Sequence, residues 1–258
     1  MCGAADPYVW AMRVLVEVCV TSFEEALAAE RCGADSIELC TWLACGGVTP
    51  SLGLVETVVE RLRIPTRVLV RATPGGFSYT MDEQRVMLRD IATLSGVERL
   101  EGLVTGALDQ NGLADRAFVQ QALAIAANKR STFHRAIDRS SDPRASLDRC
   151  IELGFDRILT SGGSSRAIDG AELITWMVEH APSTLRIAAA GGINATNVVE
   201  LVERTGVQEV HFAAQRATDL PTETVAMSSI PATADFYGRP DVAKIERVLE
   251  ALTKAGLR

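Results

Sequence analysis

The sequence predicts an α/β protein, a single-domain (β/α)8 TIM barrel. Three observations carry this. Short apolar segments rich in Val, Ile and Leu alternate with amphipathic segments from end to end. Eight such segments occur, each followed by a helix-like one, which is the count of a closed parallel barrel. The 258 residues show no linker and no second domain, and barrels of this length form one domain. The rival is a doubly wound open sheet. That fold usually has fewer strands and often opens on a Gly-x-Gly-x-x-Gly turn, which is missing after the first strand here.

The strands are read over 14–20, 36–40, 67–71, 102–106, 132–136, 157–160, 186–190 and 209–213. Their apolar character is that of strands buried on both faces. The helices are read over 22–32, 52–63, 82–95, 114–127, 143–153, 170–180, 194–205 and 240–254. Ser22, Asp82, Asp142 and Asn194 stand where N-caps belong, and Pro143 suits a first helical position. Gly33, Gly154 and Gly206 follow helices as C-terminal stops. The connection over 214–239 breaks the rhythm. A connection this long is uncommon and often functional, and in a barrel it would lie over the strand C-terminal face.

The formal net charge of −7 disfavours nucleic acid or an anionic membrane as a main partner, since both require a basic face. The first residues lack the basic start and apolar run of a secretion signal, so a cytoplasmic protein is expected. Six cysteines occur with no Cys-x-x-Cys pair, which argues against a disulfide framework. Each of them reads either as a small buried hydrophobe or as a ligand.

Side chains alternate along a strand, so Glu17 and Cys19 share one face, as do Glu38 and Cys40. If the first two strands are neighbours, these four groups cluster near the barrel mouth. A buried carboxylate needs a partner, and Arg71 is the expected one. The cluster is then either a chemical site or a structural ion pair. His134 and Arg135 are adjacent on the fifth strand, so a regular strand points one of them inward, with Asp138 in the loop that follows. His211 lies on the eighth strand. Strand-end positions tend to be functional in this fold, although a satisfied buried histidine is the alternative. Ser161-Gly162-Gly163 after the sixth strand and Gly191-Gly192 after the seventh suit either an anion cradle or tight turns.

Together these stretches resemble the CutC copper-homeostasis family, which has a (β/α)8 barrel fold. The matching pieces are EVCVTSFEEALAAERCGADSIELC, GGVTPSLGL, GLVTGAL, TFHRAID, LGFDRILTSGG and AAGGI followed by Asn194. They span about residues 13 to 215, and VAMSS at Val225 is similar to the family's tail. The resemblance implies a role in copper tolerance, with Cys19 and Cys40 matching a cysteine pair proposed to bind Cu(I). Thiolates are soft donors and suit that ion. The chain departs from the family at Thr73 and Gly76, where an arginine and an aspartate are usual. It departs also at Ala190 and at Phe212-Ala213, where glycine and Gly-Ser are usual.

Two functions therefore stand open. One is a Cu(I)-binding protein using Cys19 and Cys40. The other is an enzyme acting on a small anionic substrate. There Glu17, Glu38, Arg71, His134, Asp138 and His211 would do the chemistry, and Ser161, Gly162, Gly163, Gly191 and Gly192 would hold the anion. A barrel kept without chemistry is a third reading. A homo-oligomer is expected from the class.

Overall fold

The computed structural model describes residues 13–126, 128–217 and 238–258. Eight parallel strands close into a barrel: β1 (Leu15–Val20), β2 (Ser36–Leu39), β3 (Thr66–Leu69), β4 (Gly102–Thr105), β5 (Arg130–Phe133), β6 (Arg157–Thr160), β7 (Arg186–Ala190) and β8 (Glu209–Ala213). β8 pairs back onto β1. The helices run between them: α1 (Phe23–Cys32), α2 (Leu52–Arg61), α3 (Met81–Ser95), α4 (Arg116–Ile125), α5 (Pro143–Leu153), α6 (Ala171–His180), α7 (Val198–Thr205) and α8 (Val242–Lys254). The predicted fold class is the observed one.

Alternation along β1 sorts its side chains. Val16, Val18 and Val20 belong to the core between the barrel and its helices. Glu17 and Cys19 take the other face, inside the barrel. Cys19 packs there with Cys40, Leu69 and Val104. The registers then fix the neighbours, with Glu17 level with His211 on β8 and Cys19 level with Glu38 on β2.

Local chemistry sets most boundaries. Ser22 caps α1, Asp142 caps α5 with Pro143 in the first turn, and Gly33, Gly154 and Gly206 end their helices in the left-handed region. Three expectations shift. The cap of α3 is Thr80 and not Asp82, because Thr80 and Glu83 form a reciprocal capping box. Asn194 does not open α7 directly; its side-chain Oδ1 accepts from Thr196 N and Oγ1, making a turn that delays the helix to Val198. β5 stops at Phe133 because His134 Nδ1 accepts the Ala136 amide and starts a 3-10 turn over Arg135–Arg139.

The long connection read over 214–239 lies largely outside the described residues, as do Cys2 and Val225. Its two ends are regular, however. β9 (Gln215–Ala217) and β10 (Gly238–Pro240) pair antiparallel. Gln215 Nε2 ties this ribbon to the start of α1 by donating to Thr21 Oγ1 and Glu25 Oε1, both at 2.8 Å.

Replacing Thr80 by Ala is expected to lower unfolding stability by about 1 kcal/mol, the usual cost of losing a side-chain cap. Urea denaturation measures this, and an unchanged midpoint would count against the capping box.

Candidate functional site

A layer of buried charge crosses the barrel interior. Glu17 is fully buried. Its carboxylate accepts from Arg157 Nη2 at 2.5 Å and Nη1 at 3.2 Å, from Arg67 Nη1 at 2.9 Å and from Ser36 Oγ at 3.0 Å. His211 Nδ1 lies 2.9 Å from its Oε1. Arg157 also pairs with Glu209 at 2.8 Å. Burial works to raise the Glu17 pKa, but Arg157, the His211 hydrogen bond and Arg67 together hold it well below the usual carboxylate range. Burial works against the Arg157 charge too, and Glu17 and Glu209 more than offset it.

The expected partner of the carboxylates, Arg71, does not take part. β3 ends at Leu69, so residue 71 falls past the strand and serves the loops instead. Arg71 Nη1 donates to the carbonyls of Cys45 at 3.0 Å and Gly47 at 2.9 Å, and Nη2 donates to Gly75 at 2.6 Å. Its guanidinium also stands 5.0 Å from the centre of the Phe77 ring. Arg67 and Arg157 were missed in the sequence. The clue was there: each is an arginine at the start of an otherwise apolar barrel strand, Arg67-Val68-Leu69 and Arg157-Ile158-Leu159.

Toward the strand C-termini the character changes. Cys19 Sγ and Cys40 Sγ lie 3.6 Å apart. Both are buried free cysteines. The hydrogen bond to Cys40, burial, and the carboxylates of Glu38 and Glu17 push the Cys19 thiol well up. The turn at Gly46 and Gly47 closes over this pair. Gly47 has φ 87°, and a Cβ there would stand 2.8 Å from Leu69 Cδ2 and 3.2 Å from Cys40 Sγ. Arg71 holds that turn in place through the carbonyls of Cys45 and Gly47.

Glu38 is buried, and its Oε2 has no hydrogen-bond partner among the described residues. Burial pushes its carboxyl up; Glu17 adds to this, while His211 pulls the other way. One ligand atom from each of Cys19, Glu38 and His211 lies within 4.8 Å of the others. His134 is buried as well. Burial and the nearby Arg71 charge lower its pKa to about 3, so its ring is neutral at physiological pH. Its Nε2 has no hydrogen-bond partner among the described residues.

Cys19, Glu38, Arg71, His134, Gly191, Gly192 and His211 all line one cavity of about 290 Å³ at the mouth. Glu17 does not line it but lies beneath. Ser161, Gly162 and Gly163 do not line it either, and their amides are engaged within the chain. Asp138 already occupies that turn, accepting from Ser161 N at 3.0 Å, Gly163 N at 3.2 Å, Ser161 Oγ at 2.8 Å and Thr160 Oγ1 at 2.6 Å. Gly162 N donates to Thr160 Oγ1. Tight-turn geometry accounts for these glycines: a Cβ on Gly162 would meet Gly170 O at 2.1 Å. Asp138 is thus a loop anchor, also paired with Arg135 at 2.8 Å.

The sequence profile of the CutC family matches residues 14–216. The chain belongs to the CutC family. It is 38% identical over 257 residues to the human copper homeostasis protein cutC homolog, covering 98% of this chain and 91% of that one. It is also 38% identical to a family protein CutC of Treponema denticola, over 93% of this chain and 97% of the other. A solved CutC copper homeostasis protein from Streptococcus agalactiae superposes with a TM-score of 0.73 at 32% identity, covering 77% of this chain and 98% of that one. Phosphoribosylanthranilate isomerase from Thermotoga maritima aligns with a TM-score of 0.58 at 15% identity, over 93% of this chain and 99% of that one, a likeness of fold alone. Among the described residues no helix is long and apolar enough to cross a membrane.

Arg157→Met leaves Glu17 and Glu209 buried with too few partners, and is expected to cost about 3–5 kcal/mol in urea denaturation. Adding Glu17→Gln to that variant should recover part of the loss. A cost below about 1 kcal/mol, typical of exposed pairs, would show that the layer is not a buried ionic network.

Proposed function

We propose that this CutC-family chain binds Cu(I) through the thiolates of Cys19 and Cys40, as part of copper handling in a reducing, cytoplasmic setting. The observation that carries the reading is the pair of free thiols 3.6 Å apart, buried among Leu69 and Val104 beside the mouth cavity. Sulfur donors in an apolar surround fit a soft monovalent ion, and a reducing compartment keeps both the thiols and Cu(I) available. The Gly46-Gly47 turn held by Arg71 would shield a bound ion from water. The small-anion enzyme is the weaker reading, because Asp138 fills the Ser161–Gly163 turn, one of the two turns expected to hold its substrate.

Under reducing conditions, native mass spectrometry should find one Cu(I) per chain. Competition with a chromophoric Cu(I) chelator should show Cys19→Ser/Cys40→Ser weakened by at least about 100-fold, more than loss of an outer-shell partner alone costs. Equal uptake by the double variant would remove the proposal.

A pH series gives a separate check. The Cys19 thiol stays protonated through neutral pH, so an ion binding there displaces its proton. Apparent affinity is expected to rise by at least about tenfold per unit between about pH 6 and about pH 8, one proton leaving Cys19 and any further one leaving Cys40. A flat profile would place the ion away from Cys19.

A further inference from the structure

The mouth holds a second donor set that overlaps the thiol pair at Cys19 alone. We propose that Cys19, Glu38 and His211 form a site for a divalent ion of the zinc class, mutually exclusive with Cu(I) on the Cys19–Cys40 pair. The three residues come from three neighbouring strands, β2, β1 and β8, and their ligand atoms converge within 4.8 Å. One thiolate, one carboxylate and one imidazole make a mixed donor set suited to a borderline divalent ion, whereas Cu(I) prefers sulfur.

Two further observations point to a ligand here. Glu38 is only 4% exposed, yet its Oε2 meets no hydrogen-bond partner among the described residues. A buried carboxylate oxygen left so is costly, and a cation would satisfy it. His211 has the carboxylate partner on one ring nitrogen that metal-binding histidines commonly have. Its Nδ1 is engaged by Glu17, which leaves Nε2 as the nitrogen available to an ion. Glu17 is itself held by Arg157, Arg67 and Ser36, so this outer shell has little freedom.

The protonation balance is simple. A divalent ion replaces the proton on the Cys19 thiol and any proton on Glu38. Thiolate and carboxylate then neutralise its charge, with His211 as a neutral donor. Three protein ligands leave a coordination position facing the cavity of about 290 Å³, the pattern of zinc sites that keep an open position. This inference does not rest on the copper reading, since the two sites share Cys19 alone.

The test uses the full chain, reduced and stripped of metal, with Zn2+ alone and Co2+ as the spectroscopic probe. One Zn2+ per chain is expected by native mass spectrometry, and the Co2+ form should show a thiolate charge-transfer band with tetrahedral d–d bands. Glu38→Gln, His211→Gln and Cys19→Ser should each weaken Zn2+ by about 10-fold or more, while Cys40→Ser changes it by less than about 3-fold. Thermal melts establish that each variant is folded, and the wild-type Co2+ spectrum decides the matter if a variant is not. Protein preloaded with Cu(I) should take up no Zn2+. The proposal is overturned by absence of Zn2+ binding, by a Co2+ spectrum without thiolate character, or by Cys40→Ser weakening Zn2+ as much as Glu38→Gln. Cu(I) uptake without Zn2+ uptake overturns this site and spares the copper reading; the reverse result upholds this site and overturns the copper reading.

Discussion

The clamp of Arg157 and Arg67 on Glu17 is the constraint from which the rest of the mouth follows. A fully buried carboxylate persists as an anion only where cations and hydrogen-bond donors surround it, and Glu17 has both. Those arginines are consequently committed to Glu17 and Glu209, and Glu38 is left without one of its own. His211 is held by its Nδ1 against the same carboxylate. Two glutamates on adjacent strands thus have opposite fates. One locks the interior and orients an imidazole, and the other stays unsatisfied beside two thiols.

The rim follows a similar division of labour. Arg71 and Asp138, which look like site residues in the sequence, spend their hydrogen bonds on the loops, Arg71 on backbone carbonyls and Asp138 on backbone amides and side chains. Arg71 secures the turn over the thiols, and Asp138 fills the turn after β6. Their work fixes the shape of the mouth. The metal donors that line the mouth cavity are Cys19, Glu38, His211 and the neutral ring of His134, with Gly191, Gly192, Arg135 and Lys244 beside them, and Cys40 packs against Cys19.

The barrel was legible because its signals are local and repeated. Eight apolar runs, glycine stops and cap residues each declare one element, and β6, β7, β8 and α5 begin and end where the sequence places them. The sharing of one interior by Glu17, Cys19, Glu38 and Cys40 was legible too, since period-two alternation decides it. The ion pairing was not. Arg71 sits closer to a strand's C-terminal end than Arg67, and only the point where β3 stops shows which of the two turns inward. The Arg157–Glu17 contact joins residues 140 apart, a closure that no local pattern encodes. Asp138 as the occupant of the Ser161–Gly163 turn likewise depends on how two loops meet.

X-ray absorption of the reduced, Cu(I)-loaded protein addresses the central claim directly, because it reports the atoms around the metal. Sulfur neighbours are expected around the metal, with their number falling by one in Cys40→Ser. A shell of nitrogen and oxygen only, or one identical in that variant, would contradict placement of copper on the paired thiols.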